Sequence, residues 1–169
     1  ALAGGREATL KYMADEDARG RIIDEMNETF NQGRGADGTI IARYVPDESL
    51  EGKNLEEIAD SMGTTPAEAA LRIYEKSEAM VVSYGMTDED VETFAAHPLI
   101  AVASDGESLS TEGILSAGKP HPRSYGTNPR FLQKYVNEKK LVSIQEAVRK
   151  MTSMPAQRLG LTNRGRLTP

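Results

Sequence analysis

The chain has no cysteine and only two histidines, His97 and His121, among its 169 residues. Without cysteine, disulfides and thiolate metal sites are excluded, and the composition fits a cytoplasmic protein. Two histidines are few for a metalloenzyme. No apolar run approaches the ~18–20 residues of a membrane span. No basic tract or aromatic–basic stripe points to nucleic acid, and the net charge is −6 with acids and bases interleaved. No internal repeat or low-complexity segment is present. What remains is enough chain for one domain with a sizeable core. It opens Ala1-Leu2-Ala3-Gly4-Gly5, without Met or a signal-peptide pattern, and closes Leu167-Thr168-Pro169 behind a turn-like Asn163–Arg166. Both ends read as cuts in a longer protein.

Capping signals mark the helices. Patterning predicts helices over 6–13 and 15–30, the second with Ile22, Ile23, Met26 and Phe30 in one apolar stripe. A Gly-rich break over 31–38 precedes a short β-branched strand, Thr39–Val45. Asn54 opens a helix with Leu55, Ile58, Ala59 and Met62 on one face, ended by Gly63. Thr65-Pro66-Ala67-Glu68 joins a capping box to a proline at the first helical position, and that helix runs to about Ser77. Met80–Ser83 is a second short strand. Thr87-Asp88-Glu89-Asp90 caps a further helix that Pro98 terminates. Toward the C-terminus, Pro129 starts a helix carrying Leu132, Tyr135 and Val136. Ser143-Ile144-Gln145-Glu146 caps another, with Ile144, Ala147, Val148 and Met151 turned inward, and a last short one runs from Pro155 to Gly160. Helix outweighs strand, and the strands are too few to close a barrel of their own.

The stretch Leu99–Arg130 carries the chemistry. Leu99–Ser104 is apolar or small throughout, as in a strand buried on both faces. Asp105-Gly106 follows, a carboxylate at a strand's C-terminal end with a residue free to turn sharply, where α/β enzymes place reactive groups. A long loop comes next, ending in Lys119-Pro120-His121-Pro122-Arg123, whose prolines hold their neighbours extended and fix the direction of His121 and Arg123. The same pattern is compatible with Asp105 capping a turn and the prolines stiffening a surface loop.

The stretch SDG…GKPHPRSYGTNPRFLQKYV, followed by LVSIQEAVRKMTSMPAQRLGLTNRGRL, resembles the N-acyl-D-amino-acid deacylases, or D-aminoacylases, of the metal-dependent amidohydrolase superfamily. The segment LEGKNLEEIADSMGTTPAEAALRIYEKSEAMVVSYGMTDEDVETFAAHPLI looks like that family's helical insertion before the last barrel strand. Together they cover most of residues 40 to 167. The resemblance implies an α/β fold: a mostly helical fragment of a distorted (β/α)₈ barrel with few short strands. Residues 1–98 would hold the opening helices and the insertion, and 99–169 the last strand, substrate loop and C-terminal helices, in one compact fragment.

By the same resemblance, Asp105 matches the aspartate that approaches the metal and takes a proton from the attacking water. Arg123 matches the loop arginine that grips the substrate's α-carboxylate, and His121 lines the same pocket or bonds to backbone. A planar guanidinium suits the first of these binding roles. His97 reads as structural, and Lys119 and Arg130 as surface charges. The family's His-x-His pair, cysteine and middle-strand histidines are missing here, whereas a catalytic zinc takes about three protein ligands. Zinc is therefore expected in an intact parent enzyme acting on N-acyl-D-amino acids, and not on this chain alone, which is expected to be inactive and to self-associate. Two other readings stay open: another amidohydrolase, such as a dipeptidase or a hydantoinase- or dihydroorotase-like enzyme, and a non-catalytic assembly or binding module.

Overall fold

A computed structural model describes residues 4–32 and 35–167. Gly33 and Arg34 of the Gly-rich break, and the terminal residues 1–3 and 168–169, lie outside the described residues. The chain divides into two units, Ala1–Gly85 with Ala117–Pro120, and Met86–Ser116 with His121–Pro169. Among the described residues no helix is long and apolar enough to cross a membrane.

In the first unit, helices α1 (Gly5–Met13) and α2 (Glu16–Asn31) lead to strand β1 (Thr39–Arg43). Helices α3 (Leu55–Met62) and α4 (Pro66–Lys76) follow, then strand β2 (Met80–Ser83). β1 and β2 pair antiparallel, with Ile41 opposite Val81 and the register slipping between Ile41 and Arg43. The caps explain the boundaries. Asn54 and Glu57 exchange hydrogen bonds in a capping box, and Gly63 ends α3 at a left-handed φ of 61°. Thr65 accepts the Glu68 N–H ahead of Pro66. Leu55 and Ile58 of α3 close over Ile41, Tyr44, Leu50, Ala69 and Ile73. The Tyr44 hydroxyl donates to the Ile73 carbonyl at 3.0 Å, so the buried phenol is satisfied. Arg19 of α2 bridges Glu68 and Glu75 of α4. The loop segment 117–120 joins this unit through the Lys119 N–H, which donates to the Ala42 carbonyl.

In the second unit, helix α5 (Asp88–Ala96) is capped by a Thr87–Asp90 box. Helix α6 (Arg123–Arg130) runs into a π-helix, Phe131–Glu138, and helices α7 (Ile144–Met151) and α8 (Ser153–Arg158) follow. Ala95, Phe131, Tyr135, Val136 and Ala147 form the core, with Phe131 and Tyr135 rings 5.4 Å apart.

Three expectations are corrected here. Leu99–Ser104 is not a strand. Its main-chain N–H groups go from Val102 to the Lys150 carbonyl and from Ile100 back to His97, and Leu99 is 79% exposed. An apolar segment becomes a doubly covered strand only where neighbours flank it on both edges, and none does among the described residues. Pro129 lies inside the helical run rather than starting it. The helix begins at Arg123, kinks at Gly126, and widens to π geometry after a proline that cannot donate to the preceding turn. Finally, Ile144 and Val148 are about half-exposed, while Lys150 is fully buried, so the inward face of α7 is rotated from the one the apolar residues marked.

Candidate functional site

Asp105 stands in the irregular stretch after α5 with a left-handed φ of 47°, unusual for a residue with a side chain. The turn around it is fixed locally. The Gly106 N–H donates to Ser104 Oγ at 3.2 Å, and the Glu107 N–H to Ser124 Oγ at 3.3 Å. Gly106 sits so close to α6 that a Cβ there would lie 2.9 Å from Ser124 Cα. That contact requires glycine, and it brings the turn against the first residues of α6.

Arg123 is the first residue of α6. Pro122 occupies the N-cap position, and His121 Nδ1 accepts the Arg123 backbone N–H at 2.9 Å, doing the work of a capping side chain. Arg123 Nη2 then lies 3.0 Å from Asp105 Oδ2. The structure thus brings two of the three expected site residues into one ion pair and places the third behind the arginine, with one ring nitrogen committed to backbone. His97 Nδ1 accepts the Leu99 N–H at 3.3 Å, the structural role expected of it. Ser124 and Lys150 escaped sequence reasoning. Ser124 has no signal of its own. Lys150 follows Ala147 at helical spacing on the buried face, and only its charge hid it.

The residues present do not fit a metal. Among the described residues no three His, Cys, Asp or Glu side chains converge, and Asp105 is paired with a cation. What the arrangement offers is a carboxylate able to accept a proton beside a guanidinium able to bind an anion.

No family model matches the chain. It is 34% identical over 131 residues to an N-acyl-D-glutamate deacylase of Alcaligenes xylosoxydans xylosoxydans, a match covering 78% of this chain and 25% of that protein. A D-aminoacylase of the same organism is 33% identical over 129 residues, covering 76% and 25%. The fold agrees. An N-acyl-D-glutamate deacylase from Bordetella bronchiseptica, solved with zinc and a phosphonate mimic of the tetrahedral intermediate, superposes with a TM-score of 0.69 at 30% identity, over 83% of this chain and 27% of that one. The chain is a relative of the D-aminoacylases. It spans about a quarter of the length of the curated relatives it matches. In this D-aminoacylase relative, Asp105, His121 and Arg123 all fall in the second unit.

Proposed function

We propose that this chain is the C-terminal part of the barrel of a metal-dependent amidohydrolase that cleaves N-acyl-D-amino acids to a D-amino acid and a carboxylate. The observation that carries the reading is the meeting of Asp105 and Arg123 in a chain related to D-aminoacylases. Hydrolysis of an amide needs water to lose a proton as its oxygen attacks the carbonyl, and the leaving nitrogen to gain one. Asp105 can accept the first proton and return it to the nitrogen. Arg123 binds the α-carboxylate by paired N–H donors, which fixes the amide beside Asp105. His121 sets the start of the helix that carries Arg123 and lines the same end of the site. Zinc belongs to ligands outside this chain, since the residues described cannot supply them.

The test is an assay of the full-length gene product with zinc, using N-acetyl-D-glutamate, N-acetyl-D-aspartate and their L-enantiomers. Release of the D-amino acid, abolished by Asp105→Asn, is expected. Hydrolysis indifferent to chirality, or a fully active Asp105→Asn variant, would refute the assignment.

A further inference from the structure

Helix α7 carries two successive cations near its end, Arg149 and Lys150. Successive helical side chains diverge by about 100°. Arg149 therefore stays part-exposed on Glu146, while Lys150 turns fully inward. Burial of an ammonium is costly unless it is compensated, and here burial pushes Lys150 below the usual lysine range. None of the ion pairs among the described residues includes it. Its donors go to main chain instead: Nζ donates to the Ala95 carbonyl at 2.8 Å and to the carbonyl of His97. Those oxygens lie at the C-terminal end of α5, where carbonyls lack helical partners and the helix dipole is negative.

The grip extends along the chain. Arg149 Nη2 donates to the Pro98 carbonyl at 2.8 Å, and the Lys150 carbonyl accepts the Val102 N–H at 3.1 Å. Two consecutive residues thus hold four main-chain groups between Ala95 and Val102, in a segment without a sheet ladder. Shortly beyond Val102 comes Asp105, held on its far side by Gly106 and Glu107 against Ser124. We propose that Lys150 is a positioning residue, whose side chain, by tying the Ala95 and His97 carbonyls to α7, sets where Asp105 stands relative to Arg123. The proposal rests on the reading of Asp105 as proton acceptor given above. Arg123 is anchored separately, through His121 and Pro122 at the start of α6. Loss of Lys150 should therefore displace the base and spare the anion site, lowering kcat without raising KM.

Lys150→Met keeps the stem and removes the donors. In the full-length gene product with zinc and N-acetyl-D-glutamate, kcat is expected to fall about 10- to 100-fold, as for a misplacement of about 1 Å. KM should stay within about twofold. Exchange of the Ile100 amide, which donates to the same His97 carbonyl that the Lys150 ammonium holds, should quicken by about tenfold or more. Arg149→Ala, at the part-exposed neighbour, should lower kcat by about two- to fivefold at constant KM and decides the matter if Lys150→Met fails to fold. Unchanged kcat in the folded variant overturns the proposal, and so does a parallel rise in KM, which marks a general loss of fold. If the wild-type protein hydrolyses no N-acyl-D-amino acid, the proposed function fails. Ile100 exchange in the Lys150→Met form of this chain then still decides the tether, and unchanged exchange refutes it.

Discussion

Arg123 and Asp105 are each other's counter-ions, with Nη2 3.0 Å from Oδ2 and side chains 47% and 83% exposed. A pair so open to water is worth no more than about 1 kcal/mol. Under the proposed function, an incoming carboxylate would take the guanidinium from Asp105 at little cost and leave the aspartate free as a base.

From this follows a contrast between two loop cations. Arg123→Ala in the full-length gene product should lower kcat/KM by about 30-fold or more, since losing a charge-assisted pair to a desolvated carboxylate costs about 2–5 kcal/mol. Lys119→Ala should cost well under about 1 kcal/mol, because that side chain is exposed. Equal, small effects from both changes would remove Arg123 from the role of carboxylate clamp.

The chain alone, even with zinc added, should hydrolyse no N-acyl-D-amino acid. Asp105 is a single carboxylate, and a catalytic zinc takes about three protein ligands. Turnover by the purified chain that Asp105→Ala abolishes would contradict this.

Two glycines should answer alanine oppositely. At Gly106 the new Cβ meets Ser124 Cα at 2.9 Å and the Arg123 carbonyl at 3.2 Å, both backbone atoms that cannot swing aside. Gly106→Ala should loosen the turn against α6 and lower activity of the full-length protein. Gly20, inside α2, has open space around it, and Gly20→Ala should stabilise by about 0.5–1 kcal/mol. Thermal unfolding of both variants, with activity for the first, checks the pair. Matching responses would show that the contact with Ser124 constrains nothing.

Acid should weaken the first unit through Glu68. A hydrogen bond from Arg19, aided by one from Arg72, holds its carboxyl below the usual carboxylate range against the opposing effect of burial. A depressed folded value means that the stabilisation is complete above the unfolded pKa of about 4.3 and is lost as pH falls through the folded one. Glu68→Gln should therefore cost on the order of 1 kcal/mol at about pH 7, and the gap to wild type should narrow at an acid pH well below the unfolded value. Urea titrations at the two pH values measure it. A gap that persists in acid would assign the loss to packing instead of charge.

The helix boundaries were legible because their causes are local. Asn54 with Glu57, Thr65 with the Glu68 N–H, and Thr87 with Asp90 each satisfy backbone donors within one turn, so sequence alone locates them. Leu99–Ser104 was misread because strand formation depends on neighbours that a residue pattern does not specify. In α7 the apolar spacing was right and its phase was not. A lysine counts as polar in any pattern, yet Lys150 finds enough carbonyls at the end of α5 to be buried, and Ile144 and Val148 are left facing outward. Asp105 and Arg123 were legible as chemical types. Their pairing was not, because it depends on the approach of Gly106 to Ser124, which leaves no mark on the sequence.

The chain has no tryptophan, and this gives its two buried tyrosines an optical use. Tyr44 lies in the core of the first unit and Tyr135 in that of the second, against Phe131. With no indole band above them, their near-ultraviolet circular dichroism reports side-chain packing directly. Burial also raises the Tyr44 phenol above its ordinary value, so it ionises late in an alkaline absorbance titration. The late ionisation of Tyr44 therefore reports the opening of the first unit, with no label attached.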